Sequence, residues 1–185
     1  MKDIILLKQE CKFKTERLAV ENWVSQSDDL RSDLNFAEKV MRILTPRVTK
    51  SLPDGWQGIK KERDVQQWMH ERTEECSFIT VRLLSTNELI GFIFLYVSGM
   101  KGNNYDLRFG YLLADAMWGR GLGTELVQGL VNWCKTEGNI ESLSGGVETD
   151  NIGSIKVLEK CGFVRSNFER PSKEVIFYKQ KFNID

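Results

Sequence analysis

Hydrophobic positions change their spacing twice along the chain, and the changes mark its elements. Between Ser77 and Leu113 they crowd into β-branched and aromatic runs: Ser77–Leu84 (SFITVRLL), a polar joint at Ser85-Thr86-Asn87-Glu88, then Leu89–Val97 (LIGFIFLYV). Two such runs across a short polar joint predict a hairpin. A Gly/Asn-rich loop, Ser98–Asn104, leads to a third run, Asp106–Leu113 (DLRFGYLL), so three consecutive antiparallel strands are expected. From Leu122 to Thr136 the apolar residues respace to 122, 126, 127, 130, 131, 133 and 134, the broad stripe of a helix packed on a sheet.

The flanking segments complete the series. Lys12–Val20 alternates as a strand, and Ser27 is a candidate N-cap for a helix carrying Leu30, Leu34, Val40 and Leu44. Pro46 and the turn Pro53-Asp54-Gly55 punctuate it before a second helical stretch at 62–75. Towards the C-terminus, Ser142–Val147 predicts a strand. Asn151–Cys161 predicts a helix with Ile152, Ile155, Leu158 and Cys161 inward, stopped by Gly162. Phe163-Val164 opens an extended piece and Glu174–Phe182 a closing strand. Strands alternating with helices in this order predict an α/β fold with a mixed sheet.

Composition narrows the function classes. A chain of 185 residues is expected to make one domain, residues 1–185, burying roughly 70% of its unfolded surface. Its 26 Lys plus Arg balance 26 Asp plus Glu, so it lacks the positive excess that phosphate-backbone binding exploits, and nucleic acid is not expected as a ligand. Cys11, Cys76, Cys134 and Cys161 are far apart with no CxxC pair, and His70 is the single histidine, so no metal site is legible. Reduced thiols, no secretory cleavage site and no apolar run long enough to cross a bilayer point to the cytoplasm and to no membrane partner. A Ser-His-Asp mechanism would require His70, which lies among Val65, Trp68, Met69 and Arg72 at helical spacing and reads as a surface or boundary residue.

The chemistry is concentrated in Tyr111–Thr124, YLLADAMWGRGLGT. A strand runs into a turn with Gly119, Gly121 and Gly123, and that turn opens a helix. Free N–H groups and the positive end of the helix dipole make an anion site there, glycines admit phosphate oxygens to the main chain, and Arg120 adds charge from the rim. The dinucleotide fingerprint fails because Thr124 stands where Gly is required, and the P-loop fails because no Lys follows the last glycine. A glycine-rich turn without ligand is the competing reading. Further on, Glu148-Thr-Asp-Asn151-Ile-Gly-Ser154 leads through VLEK to Cys161-Gly162-Phe163, with Asn151 placed to cap the second helix.

WGRGLGTE and NxxSxxVLEKxGF, about thirty residues apart and each after a strand, resemble the GNAT superfamily of acetyl-CoA-dependent N-acetyltransferases. More closely, they resemble its ribosomal-protein N-terminal acetyltransferase branch (RimJ/RimL type). TERL at Thr15–Leu18, LIGF at Leu89–Phe92 and FGY at Phe109–Tyr111 fall where that branch has similar letters. The resemblance implies a largely antiparallel central sheet, splayed between the strand ending at Leu113 and Ser142–Val147, with helices flanking it. Pantetheine would lie in the splay against main-chain groups near Tyr111, Leu112 and Leu113. The N–H groups of Gly119, Arg120, Gly121, Leu122, Gly123 and Thr124 would hold the pyrophosphate, and Asn151 and Ser154 would face the thioester. Acetyl-CoA is then the co-substrate, no metal is required, and an amine attacks the thioester directly through an oxyanion.

The chain also departs from that pattern. Related enzymes often carry a Glu base midway along the third strand, where this chain has Leu107, Arg108 and Phe109, with Asp106 the only carboxylate nearby. Many carry a Tyr acid in the last helix, where this chain has Leu158. By resemblance Ser154 becomes the acid candidate, with Asn151 holding a bridging water; helix capping by the same pair is the alternative. Glu148 is either a base acting through water or a charge at a strand end. A site without a strong base leans towards α-amines, since a lysine amine near pKa 10.4 is only about one part in a thousand free base at neutral pH, against a far larger fraction for an α-amine near 7.7–8.0. The expected partner is therefore an amine, a peptide N-terminus or a small molecule, with a homodimer left open. Its pocket is expected from Arg31–Lys61 and the loop Ser98–Tyr105, with Trp23, Trp56 and Trp68 as core or boundary residues. A CoA-binding sensor without turnover is the rival.

Overall fold

The computed structural model describes residues 10–23, 35–50, 52, 54–166 and 174–182; Ser27, Leu30 and Leu34 of the predicted first helix lie outside them. Eight strands form one sheet: β1 (Lys12–Lys14), β2 (Leu18–Asn22), β3 (Ser77–Leu83), β4 (Leu89–Lys101), β5 (Asn104–Leu113), β6 (Ile140–Glu148), β7 (Val164–Ser166) and β8 (Val175–Lys181), in the order β1-β2-β3-β4-β5-β6-β8-β7. Every neighbouring pair is antiparallel except β5 and β6. A parallel pair needs a long crossover, and here helix α4 (Leu122–Glu137) supplies it. The remaining helices are α1 (Phe36–Ile43), α2 (Pro46–Thr49), α3 (Glu62–Glu75) and α5 (Ile152–Lys160).

The unbroken apolar run of β4 reflects cover on both faces, since a strand buried on both sides has no position free for a polar residue. Its side chains alternate: Ile93 and Leu95 point into a core with Leu126 and Leu130 of α4, while Phe92 and Phe94 point into one with Val40 of α1 and Trp68 of α3. Trp68 anchors the second core, meeting Phe78, Phe92 and Phe94 edge-on at ring separations of 5.5, 5.5 and 6.0 Å.

Three expectations are corrected. Lys12–Val20 is two strands folded back on each other, because Thr15 turns the chain: its N–H donates to the Leu18 carbonyl (3.0 Å) and its hydroxyl accepts from the Leu18 N–H (3.1 Å). The supposed loop Ser98–Asn104 is mostly ladder; β4 continues to Lys101, a bulge between Val97 and Gly99 absorbs the register change, and Gly102 makes the turn at φ 61°. Polar side chains there face water while their backbone pairs as in any strand. Finally, Ile152 is 53% exposed rather than inward, because it stands in the first turn of α5; Leu158 and Cys161 are buried as expected. Among the described residues no helix is long and apolar enough to cross a membrane.

Candidate active site

The β5–β6 ladder runs from Tyr105↔Ile140 to Arg108↔Ser144 and stops. Beyond it β5 stays with β4 as far as Leu113, and β6 follows β8 as far as Glu148. The strands therefore diverge into a V that opens at their carboxyl ends. Phe109 marks its base: a Cβ on Gly145 would lie 3.2 Å from the Phe109 ring, so glycine lets that ring lie against the β6 backbone. Ala114 N–H bonds to the Ile90 carbonyl (2.8 Å), and antiparallel alternation then gives the main-chain groups of Leu112 to β4. Those of Tyr111 and Leu113 face the open edge, although the Leu113 carbonyl already accepts from the Trp118 indole N–H (2.9 Å).

The glycine turn stands at the mouth of this V. Gly119 and Gly121 have φ of 74° and 78°, the left-handed region that glycine adopts without a Cβ clash. Gly121 is the N-cap of α4 and offers no side chain. Glu125 N–H is the first to bond back, to the Gly121 carbonyl at 3.1 Å, which leaves Leu122, Gly123 and Thr124 N–H ahead of the helical ladder. At the end of a sixteen-residue helix, those groups carry the positive pole of its dipole. Arg47 stacks over the Trp118 ring at 5.1 Å and fastens the far side of the turn.

TERL reaches this turn from the other side. Glu125, in the first turn of α4, accepts from the Thr15 hydroxyl (2.6 Å), the Arg17 N–H (2.8 Å) and the Arg17 Nε (2.7 Å), and ion-pairs with Arg17 Nη2 (2.7 Å). Arg17 Nη1 also donates to the Arg120 carbonyl (3.1 Å). Burial pushes the Glu125 carboxyl up, but the hydrogen bonds from Thr15 and Arg17 outweigh it and hold the group below its ordinary range.

On the opposite wall, Asn151 Oδ1 accepts from the Ser154 N–H (3.1 Å), so Asn151 caps α5 as its position predicted. The Tyr111 hydroxyl reaches from β5 to the Ser154 Oγ at 3.4 Å. The Tyr111 ring packs under Gly123, where a Cβ would meet it at 3.8 Å and Val157 at 3.4 Å. Burial pushes the Tyr111 phenol above its usual range, and the Ser154 hydrogen bond offsets this only in part. Glu148 ends β6, its carboxylate without a hydrogen-bond or ion-pair partner among the described residues.

Other sequence candidates fall elsewhere. Asp106 lies at the paired end of the strands, engaged by the Ser142 hydroxyl and by Lys179 at 3.5 Å. The Ser98–Tyr105 hairpin ends β5 opposite the glycine turn, roughly 30 Å away at 3.3 Å per residue, and does not wall this site. Trp56 packs on Phe94 (4.5 Å) beneath the Arg72 guanidinium (4.6 Å), and Trp23 on Phe36 (4.5 Å), as core and boundary residues. All four cysteines are buried and unpaired, and burial raises their thiols, Cys76 to about 11 and Cys134 to about 12. Protonated buried thiols are poor nucleophiles. Sequence reasoning missed the Arg17–Glu125 contact and the Tyr111 side chain. TERL carried the first only as letters, and the second needs the strand register.

A family model described as Acetyltransferase (GNAT) domain matches residues 17–164. Probable N-acetyltransferase YjcK of Bacillus subtilis (strain 168) is 30% identical over 119 residues, 64% of this chain and 65% of that relative, just under two thirds of its length. Among solved structures, a GNAT-family acetyltransferase from Bacillus anthracis superposes with a TM-score of 0.72 at 18% identity, covering 92% of this chain and 98% of its own. The ribosomal alpha-N-protein acetyltransferase RimL, solved with coenzyme A, superposes with a TM-score of 0.67 at 15% identity, covering 96% and 100%. At these identities the likeness to solved structures is one of fold, while the family model spans most of the chain and includes both walls of the V. The chain belongs to the GNAT acetyltransferase family.

Proposed function

We propose that the protein transfers the acetyl group of acetyl-CoA to a primary amine, a protein or peptide α-amine in preference, by direct attack within a ternary complex, as in the RimJ/RimL-type branch. One observation carries this reading: the V between β5 and β6 and the uncapped N-terminus of α4 open at the same place. The pyrophosphate takes the N–H groups of Leu122, Gly123 and Thr124, with Gly119 and Gly121 clearing the approach and Arg120 at the rim. The pantetheine amides extend along β5 and bond to Tyr111 and Leu113 as an added strand would; Leu112, committed to β4, packs instead.

The thioester then lies between the Tyr111–Ser154 pair and the tip of β6. The amine nitrogen attacks the carbonyl carbon, the C–S bond breaks, and Ser154 donates a proton to the departing thiolate and regains one through water, so that the net transfer is one proton from nitrogen to sulfur. Glu148 receives the amine proton through water, and Asn151 fixes the turn that presents Ser154. An amine already substantially neutral near pH 8 needs little help in losing its proton, which suits transfer through water. The test is free-thiol release from acetyl-CoA across peptide N-termini, polyamines, aminoglycosides and amino acids. Release that is fastest with peptide α-amines supports the reading, a free lysine side chain strongly preferred over them overturns its acceptor, and binding without release with any amine overturns turnover in favour of a sensor.

A further inference from the structure

We propose that Arg17 is a charge-balancing and positioning residue of the cofactor turn: it neutralises Glu125, which would otherwise oppose the cofactor's diphosphate, and it ties down the Arg120 carbonyl. This inference rests on the cofactor placement proposed above. The sequence sets a conflict at this turn. A carboxylate in the first turn of a helix is attracted by the same dipole that attracts a phosphate, and Glu125 directly follows Leu122, Gly123 and Thr124. Left bare, it is a second anion at the diphosphate site.

The geometry resolves that conflict. Glu125 Oε1 is taken by the Thr15 hydroxyl and the Arg17 N–H, and Oε2 by the Arg17 Nε and Nη2, so the guanidinium grips one oxygen through two nitrogens. Nη1 remains and donates to the Arg120 carbonyl, within the turn itself. Nη2 passes 3.6 Å from where a Gly121 Cβ would stand, so the cation lies against the cap of α4. One side chain thus cancels the competing charge, holds the carbonyl side of the turn away from the anion, and leaves the N–H side open. Lysine keeps the charge but cannot span both Glu125 and the Arg120 carbonyl with a planar fork.

The test is calorimetric titration with acetyl-CoA, with steady-state kinetics and melting curves beside it, for wild type, Arg17→Gln, Arg17→Lys, Glu125→Gln and the Arg17→Gln/Glu125→Gln double variant. Arg17→Gln should weaken acetyl-CoA about tenfold or more, raising its KM while kcat at saturation stays near wild type, and the loss should shrink with added salt as the exposed carboxylate is screened. Arg17→Lys should recover part of the loss. The double variant should bind more tightly than Arg17→Gln alone, a reversal that a purely structural contact does not produce. A double variant as weak as Arg17→Gln, or Arg17→Gln with wild-type affinity, overturns the inference. Should Arg17→Gln fail to fold, Arg17→Lys decides by itself, and wild-type affinity there overturns the two-contact role. A wild-type protein that does not bind acetyl-CoA at all refutes the cofactor placement instead, so the two failures are distinguishable.

Discussion

The Tyr111 hydroxyl of β5 donates to the Ser154 Oγ of α5 across 3.4 Å, joining the two walls of the V at the point where strand pairing has ended. Because burial keeps this phenol protonated, it is a donor at every working pH, and the Ser154 hydrogen is left free to turn towards the V. Ser154→Ala should lower kcat by about a hundredfold, the scale of a lost proton donor. Tyr111→Phe keeps the ring packing under Gly123 and should lower kcat by about tenfold with KM for acetyl-CoA unchanged. The double variant should be no worse than Ser154→Ala, since residues acting as a unit are not additive. Additive losses in kcat would separate the two residues.

Gly121 sits at φ 78° with nothing but Arg17 near its missing Cβ. Gly121→Glu should abolish acetyl-CoA binding by placing a carboxylate against the diphosphate, and the left-handed backbone should cost about 1–2 kcal/mol of stability. Gly121→Asn, which tolerates that conformation, should fold better and retain measurable binding. Calorimetry and thermal melts together separate the two effects.

Acid should act through Glu125. Its folded pKa lies below its unfolded value of about 4.3, so its contribution to stability is complete above that pH and is lost as pH falls through the folded value. Glu125→Gln should therefore be less stable than wild type at pH 7, and the gap should close as the pH drops below about 4. Chemical denaturation at several pH values measures this directly.

Trp68 touches only core, and its removal should be felt as stability alone. Trp68→Ala empties the centre of the Phe78, Phe92 and Phe94 cluster and should cost about 3–5 kcal/mol in urea unfolding.

The reach of the sequence follows from which interactions are local. The run of β4, the stripe of α4, the glycines before it and the Asn151 cap are written in contiguous residues, and all stand where their spacing predicts. The divergence of β5 from β6 was visible only through resemblance, since pairing that stops at Arg108/Ser144 is a relation between segments thirty-six residues apart. Arg17 and Glu125 are 108 residues apart, and no periodicity brings them together. The hairpin at Ser98–Asn104 escapes a sequence pattern for the opposite reason: its side chains are polar, but the pairing belongs to the backbone.

Amide chemical-shift mapping during a coenzyme A titration shows whether the cofactor lies in the V with its diphosphate on the start of α4. The largest shifts should fall at Leu122, Gly123 and Thr124, with a second set at Tyr111 and Leu113 and little change at Asn104 or Lys101. Saturable binding whose largest shifts fall outside residues 109–124 and 145–154 would contradict it.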